Sequence, residues 1–236
     1  MHGNRLLFMR AAKRIWDSIP KQLLRSSTKK FRYGDVVRGG RRSRLEEPLE
    51  WLSAAGIVTL NDLTRDSLAP LAAYEGDSDG SFFKAYLADT GLMFHKFGID
   101  PMLMLDDATA QYLSSDFRGA LAENYVMQAL KACDIDTFYW MPEESGTRGE
   151  VDFVYQTRHA EIVPIEVKSG RNVSAKSLQR LMETGNTPFA IRLSEREFGR
   201  TTDDAGRELR SVPLYAAFCV AEEAQRLQTG STSPTP

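Results

Sequence analysis

The segment Glu161–Val167 constrains the fold most strongly, because its run of β-branched and apolar residues predicts a short core strand. Successive side chains of a strand point to opposite faces. Glu166 and the following Lys168 are therefore expected on one face, with Ile165 and Val167 on the other. The pattern places an acid and a base together on one side of an apolar strand.

The segments around this strand predict a small α/β domain. A helix is predicted over Gly119–Cys133, where apolar residues recur on one face. The other elements of this region are predicted as strands Thr137–Trp140 and Glu150–Tyr155, a helix Ser174–Thr184, and strands Phe189–Leu193 and Val212–Val220.

The N-terminal region has the element order of a winged helix-turn-helix. Helices are predicted over Asn4–Ile19, which is followed by Pro20, and over Arg44–Ala55, with Gly56 as its C-terminal stop. A short element lies between them, and two strands follow around an Asn-Asp turn. These three segments are Phe31–Val37, Ile57–Leu60 and Leu68–Tyr74. Winged helices also serve as protein–protein modules, and that alternative stays open.

The predicted fold class is therefore mixed α/β, with a winged-helix-like region at 1–75 and a connector with a helical segment at 76–116. The α/β domain follows at 117–222 and a disordered tail at 223–236. The turn-rich stretch Gly76–Ser81 is predicted to link the first two regions. The Ser/Thr/Pro-rich stretch Thr229–Pro236 predicts a frayed chain end.

Charge is distributed unevenly along the chain of 236 residues. Its net charge is −2, but residues 1–44 contain thirteen Lys and Arg against two Asp, a net charge of +11. Such a split predicts a polyanion or an acidic partner, and DNA is the partner we expect. The alternative is a solvated basic face that docks on the acidic remainder of the same chain. The candidate nucleic-acid-binding residues are Lys29, Lys30, Arg38, Arg41, Arg42 and Arg44.

Several classes of protein and site are not indicated. The sequence has neither an apolar run of about 20 residues, as a membrane span requires, nor the apolar stretch of a signal peptide. Cys133 and Cys219 lie far apart and suggest neither a disulfide framework nor a zinc site. A cytoplasmic protein is expected. Trp51 and Trp140 are expected to fill cores rather than to stack on bases.

Carboxylates in the second region suggest a metal site. Asp152 alternates with the apolar Val151 and Phe153 and can meet Glu166 across a strand pair. Converging carboxylates suit Mg²⁺ or Mn²⁺, which can polarise a phosphodiester and lower the pKa of a bound water. Lys168 can position that water and neutralise charge on the phosphate. Taken singly, such residues are usually solvated surface charges.

The spacing of these residues resembles the PD-(D/E)XK nuclease signature. Glu123 lies in the predicted helix, Asp152 follows 29 residues later, and the Glu166-x-Lys168 motif starts 14 residues after that. Val151 replaces the usual Pro. The resemblance implies a restriction-endonuclease-like fold in which Glu123, Asp152 and Glu166 hold Mg²⁺ or Mn²⁺. The resemblance also implies that Lys168 assists the attacking water.

Longer strings resemble one family, the domain of unknown function that closes a set of prokaryotic AAA-type ATPases. They include residues 83–92, 119–126, 138–140, 150–153, 165–170 and 213–218. In that family an ATPase domain precedes a winged helix and a PD-(D/E)XK-like domain. The ATPase module is missing from this sequence, so we expect a truncated or split member without ATPase activity of its own.

Two functional hypotheses follow. In the first, the chain is a DNA-associated, metal-dependent nuclease-like protein that hydrolyses phosphodiesters. In the second, it is a non-catalytic DNA- or protein-binding regulatory module that works with an ATPase partner. Mn²⁺ affinity that is lost in Asp152→Ala distinguishes them.

Overall fold

The computed structural model describes residues 2–25, 29–71, 82–142, 149–169, 176–203 and 205–220. The predicted linker Gly76–Ser81 and the predicted tail Thr229–Pro236 lie outside these residues. The chain divides into two compact units with interleaved segments. Unit 1 comprises Met1–Leu63 and Gly76–Gln128, and unit 2 comprises Thr64–Glu75 and Ala129–Pro236. These bounds differ from the sequence-based domains.

Unit 1 begins with three helices, α1 (His2–Arg25), α2 (Tyr33–Val36) and α3 (Arg42–Ala54). Helix α1 buries Ile15, Ile19 and Leu23, which recur every fourth residue and form one apolar stripe. The prediction that this helix ends at Pro20 is wrong, because Pro20 lies inside it. Burial of the residues on both sides of Pro20 offsets the free-energy cost of the helix hydrogen bond that proline cannot donate.

Helix α3 ends where the sequence predicts. Ala55 is its C-cap, and Gly56 follows with φ +68°. The Ile57 amide donates to the Leu52 carbonyl at 3.0 Å, which satisfies a carbonyl that the last turn leaves open. The stop residue of the third helix is therefore confirmed.

A two-stranded antiparallel ribbon follows, but its strands differ from the prediction. It consists of β1 (Val58–Thr64) and β2 (Phe83–Leu87). The predicted Asn-Asp turn is wrong, since Asn61 and Asp62 lie inside β1 and are in register with Lys84 and Phe83. Pairing with a distant strand overrides the low strand propensity of these two residues.

The second strand predicted over Leu68–Tyr74 is not observed at Leu68–Pro70, where the backbone is irregular, and residues 72–74 lie outside the described part. Unit 1 continues with α4 (Gly91–Phe97), a 3₁₀ turn (Pro101–Met104) and α5 (Asp107–Ala110). Helix α6 (Ser115–Ala132) follows, and the boundary between the units falls after Gln128. The helix predicted over Gly119–Cys133 is confirmed and begins four residues earlier.

Unit 2 contains a mixed sheet with the strand order β3-β4-β5-β6-β8-β7. Strands β3 to β5 are antiparallel, β5, β6 and β8 are parallel, and β7 pairs antiparallel with β8. The strands are β3 (Phe138–Trp140), β4 (Val151–Gln156), β5 (Ile162–Val167), β6 (Phe189–Ser194), β7 (Gly199–Thr202) and β8 (Glu208–Pro213). Helix α7 (Lys176–Thr184) precedes β6.

One strand of unit 2 is shorter than predicted and one was not predicted. The apolar run Val212–Val220 predicts a strand, but β8 ends at Pro213 and a 3₁₀ helix covers Leu214–Cys219. Pro213 has no amide hydrogen to continue the ladder, so the strand stops there. Strand β7 is exposed along its whole length, so no apolar alternation marks it in the sequence.

A buried cluster in unit 2 packs α7 against the sheet. The cluster contains Leu178 and Leu181 of the helix together with Trp140, Val154 and Ala190 of the strands. This cluster supports β4 and β5, which carry the predicted acidic site.

In the described part of the chain, no helix is both long enough and apolar enough to cross a membrane. The mixed α/β class is confirmed, while the winged-helix and PD-(D/E)XK assignments stay predictions.

Candidate functional site

The acidic residues of unit 2 lie on two adjacent strands. Asp152 belongs to β4 and Glu166 to β5, and the neighbouring residues Phe153 and Ile165 are in register. The Val167 amide donates a hydrogen bond of 2.8 Å to Asp152 Oδ2, which fixes the Asp152 carboxylate against β5. Asp152 and Glu166 therefore lie on neighbouring strands at the same end of this strand pair.

Lys168 follows β5 directly and lies on the side of Glu166. Its Nζ forms an ion pair with Glu166 Oε1, and its amide donates to the Leu193 carbonyl at 2.9 Å. Glu166 is 7% exposed. The alternation of the sequence thus correctly predicts that these two side chains share a face.

A cation of β6 adds to the electrostatics of this site. Arg192 is in register with Glu166. Burial and the charge of Arg196 lower the pKa of the Arg192 guanidinium, while the Glu166 carboxylate opposes this shift. The end of β5 therefore combines two carboxylates with neighbouring cations.

Glu123 belongs to unit 1, where basic and hydroxyl groups surround it. Its side chain is 1% exposed and forms ion pairs with Lys29 and with the fully buried Lys84, whose Nζ lies 3.0 Å from Oε1. The Tyr86 hydroxyl donates to the same oxygen at 2.6 Å. Burial alone would raise the pKa of Glu123, but the charges of Lys84 and Lys29 and the hydrogen bonds outweigh it and lower this pKa to about 2.

The donor chemistry at Asp152 and Glu166 fits a hard divalent cation, since both residues offer carboxylate oxygens. Within the residues that the structure describes, no group of three or more His, Cys, Asp and Glu is arranged to hold a metal ion. The role of Glu123 as a third ligand stays a prediction. Its carboxylate is occupied by the contacts within unit 1.

Unit 1 contains a basic groove of about 960 Å³, which we call the arginine groove. One set of its arginines lies on α1, and the other lies at and before the start of α3. The arginines that line it are Arg5, Arg10, Arg14, Arg38, Arg41 and Arg44, and Glu47 is its acidic residue. All six arginines are exposed, and none forms an ion pair with a carboxylate among the described residues.

A Gly-Gly turn shapes one wall of this groove. Gly39 has φ +73°, a left-handed conformation that favours glycine. A Cβ on Gly40 would lie 2.3 Å from the Tyr33 carbonyl oxygen, so the backbone approaches more closely than any side chain permits. These two glycines therefore set the positions of Arg38 and Arg41 on either side of them.

Three of the groove arginines are among the nucleic-acid-binding candidates of the sequence. Arg38, Arg41 and Arg44 line the groove, and their binding to nucleic acid stays a prediction, whereas the three other candidates have different surroundings. Arg42 pairs with Glu46, Lys29 with Glu123, and Lys30 lies 5.3 Å from the centre of the Phe82 ring.

Three groove arginines of α1 were not singled out in the sequence. They are Arg5, Arg10 and Arg14. The helical spacing of the groove residues Leu7, Arg10, Ala11 and Arg14 was the available signal, because residues three and four apart share a helix face.

The two tryptophans differ in their surroundings. Trp140 is 3% exposed and its indole donates to the Arg65 carbonyl, so its predicted place in a core is confirmed. The same prediction is wrong for Trp51, which is 45% exposed on α3. Its ring makes an edge contact with Phe8 of the groove lining, with 5.9 Å between the centroids.

Comparisons with known proteins agree in part with the resemblance drawn from the sequence. Residues 118–209 match a family described as a domain of unknown function (DUF4143), and residues 7–103 match another (DUF8612). Among curated proteins, none matches the chain.

A solved structure is also similar. It is the refined half-complex from a tetradecameric assembly of Thermococcus gammatolerans McrB AAA+ hexamers with bound McrC. The identity is 11%, the TM-score is 0.35, and the match covers 89% of this chain and 76% of that chain. The family that matches residues 118–209 is a domain found in AAA-ATPase-associated proteins. This match supports the description of the chain as an ATPase-associated protein.

Proposed function

We propose that this ATPase-associated protein binds DNA through the arginine groove. The observation that carries the proposal is the set of six exposed arginines around one concavity, in whose lining Glu47 is the one acidic residue among those that the structure describes. Like charges repel one another, so such a cluster costs free energy unless an anionic ligand neutralises it. A polyphosphate backbone supplies regularly spaced negative charge of the required sign.

The chemistry of arginine suits the binding of phosphate groups. Its guanidinium presents a planar fork of donors that matches two phosphate oxygens, and it remains charged at every physiological pH. Arg10 and Arg14 lie one turn apart on α1, and Arg38, Arg41 and Arg44 follow at three-residue intervals. Two rows of donors can therefore contact successive phosphates.

The test compares two variants with the same change of charge. In the groove variant, Arg10, Arg38 and Arg41 are replaced by Gln. In the control variant, the exposed Lys21, Arg25 and Arg32, which do not line the groove, are replaced by Gln.

Fluorescence anisotropy with labelled DNA gives the dissociation constants. We expect the groove variant to bind on the order of tenfold or more weakly, because phosphate contacts dominate such affinities. The control variant keeps most of the affinity. An equal loss in both variants would show that only net charge matters and would contradict the proposal.

A second function is favoured by the position of Asp152, Glu166 and Lys168 at the ends of adjacent strands. Here unit 2 would hydrolyse phosphodiesters with Mg²⁺ or Mn²⁺. Such an ion, when bound, would polarise the phosphate and acidify a water molecule. Asp152 and Glu166 would hold it through their carboxylates, and the Lys168 ammonium would orient the water and offset charge on the phosphate.

Cleavage of plasmid and single-stranded DNA in Mn²⁺ or Mg²⁺ tests this function. Activity should disappear in Lys168→Ala and in Asp152→Asn. It should persist in Lys131→Ala, which removes an exposed lysine of the same unit. DNA binding without cleavage by the wild type would instead support a non-catalytic module that works with an ATPase partner. Cleavage that survives Lys168→Ala would exclude this site as its source.

A further inference from the structure

We infer that the arginine groove accepts a single strand, with Trp51 as a platform on which a base stacks. This inference rests on the proposed DNA binding and names the form of DNA that the groove takes. The inference is based on two observations. The groove combines cationic and apolar side chains, and an exposed tryptophan lies beside it.

The groove lining is suited to more than phosphates. The lining also contains the apolar residues Leu7, Phe8, Val37, Leu45 and Pro48. The outer surface of a duplex offers phosphates and sugars, while its base faces are stacked inside. A single strand presents its backbone and its base faces at the same time, so it can contact both kinds of side chain.

Trp51 extends this apolar surface. It is 45% exposed, although large aromatic side chains are usually well buried. Its edge contact with Phe8, at an interplanar angle of 80°, joins it to a residue of the groove lining. Every base has a π-face, so an exposed indole beside a cationic groove contributes affinity without demanding a sequence.

The exposed indole of Trp51 favours nucleic acid over an acidic peptide as the occupant. An indole can pack on the flat face of a base, whereas acidic side chains have no such face. The arginines at the groove would bind the backbone on which that base is carried. Together these groups make a site for a short stretch of single-stranded nucleic acid.

The experiment uses the full chain and a fluorescein-labelled oligothymidylate of fifteen nucleotides, with a labelled duplex in parallel. We expect tighter binding of the single strand than of the duplex. Trp51→Ala should weaken single-strand binding about 5- to 150-fold, the range expected for one lost stacking contact. Tyr112→Ala is the matched control, because Tyr112 is 78% exposed in the same unit but does not line the groove.

A second readout does not depend on affinity. The unlabelled oligonucleotide should quench the tryptophan fluorescence of the wild type, and Trp51→Phe should lose most of this quenching while it keeps part of the affinity. Trp16 and Trp140 remain in that variant as internal references.

The outcomes separate this inference from the proposal on which it rests. Normal single-strand affinity in Trp51→Ala, together with a loss in the groove variant, would overturn the stacking role alone. Equal or tighter binding of the duplex would overturn the single-strand preference. If the groove variant bound both forms like the wild type, or if the chain bound anionic lipid vesicles but no DNA, the proposed function would fail as well.

Discussion

The buried carboxylate of Glu123 gives the sharpest prediction for stability. Its partner Lys84 is fully buried, so Glu123→Ala leaves an ammonium group in the interior without its anionic partner. The Tyr86 hydroxyl loses its acceptor in the same step. Removing one member of a buried ion pair costs about 3–5 kcal/mol in the free energy of unfolding. The half-exposed pair of Arg42 and Glu46, four residues apart on α3, provides the comparison, with about 0.3–0.5 kcal/mol expected for Glu46→Ala.

Urea denaturation, followed by circular dichroism at pH 7, measures both variants. A third variant separates the loss of the pair from the loss of packing, because Glu123→Leu with Lys84→Met removes the two fully buried charges and keeps apolar volume. The remaining cation, Lys29, is 24% exposed and can be hydrated. Such replacements are often neutral or stabilising. We expect the double variant to recover much of the stability that Glu123→Ala loses.

Two results would refute this reasoning. A cost for Glu123→Ala that is no larger than that for Glu46→Ala would mean that the ion pairs of Glu123 are not formed in solution. A double variant that is less stable than Glu123→Ala would mean that buried charge is not the origin of the loss.

Three further predictions concern pH, a turn and the core. The pKa of Glu123 lies below its ordinary value of 4.5, so its stabilising contribution is complete above pH 4.5 and is lost as the pH falls toward about 2. The urea concentration at the midpoint of unfolding should decrease as the pH is lowered over this range, and it should decrease less in Glu123→Gln than in the wild type. Gly40→Ala should weaken DNA binding and lower the melting temperature, because its Cβ would lie 2.3 Å from a backbone oxygen of α2. Gly34→Ala, which meets nothing within 4 Å, should do neither. Leu181→Ala should cost about 2–5 kcal/mol in unfolding free energy, against little for the exposed Leu68→Ala.

Most elements of unit 2 could be predicted from the sequence, because its inner strands are short apolar runs bounded by turns. The alternation in β5 also predicts that Glu166 and Lys168 share a face. Strand β7 could not be predicted, since it is fully exposed and its position depends on pairing with β8.

The ribbon of unit 1 shows the main limit of local patterns. Asn61 and Asp62 have the composition of a turn, yet they continue β1 because β2 pairs with them from more than 20 residues away. Local preference contributes less here than long-range hydrogen bonding and burial. The same limit applies to Glu123, whose two lysine partners are distant in sequence and invisible to any count of spacing.

The candidate sites were predicted unequally. Strand alternation predicts that Asp152 and Glu166 lie near each other on adjacent strands. The high positive charge of the segment Arg38–Arg44 marks it as a candidate for nucleic-acid binding. The contribution of α1 to the arginine groove and the exposure of Trp51 depend on how the helices pack. Helix packing is not encoded in the spacing of charges along one segment.

The salt dependence of DNA affinity tests the arginine groove most directly. For a single strand, the slope of log K against log salt concentration changes by about 0.7 for each phosphate contact. Replacing Arg10, Arg38 and Arg41 by Gln should therefore make the slope shallower by about 2, since three contacts are removed. The control replacement of Lys21, Arg25 and Arg32 should leave it nearly unchanged. An identical slope for the groove variant and the wild type would contradict the assignment of this groove as the DNA-binding site.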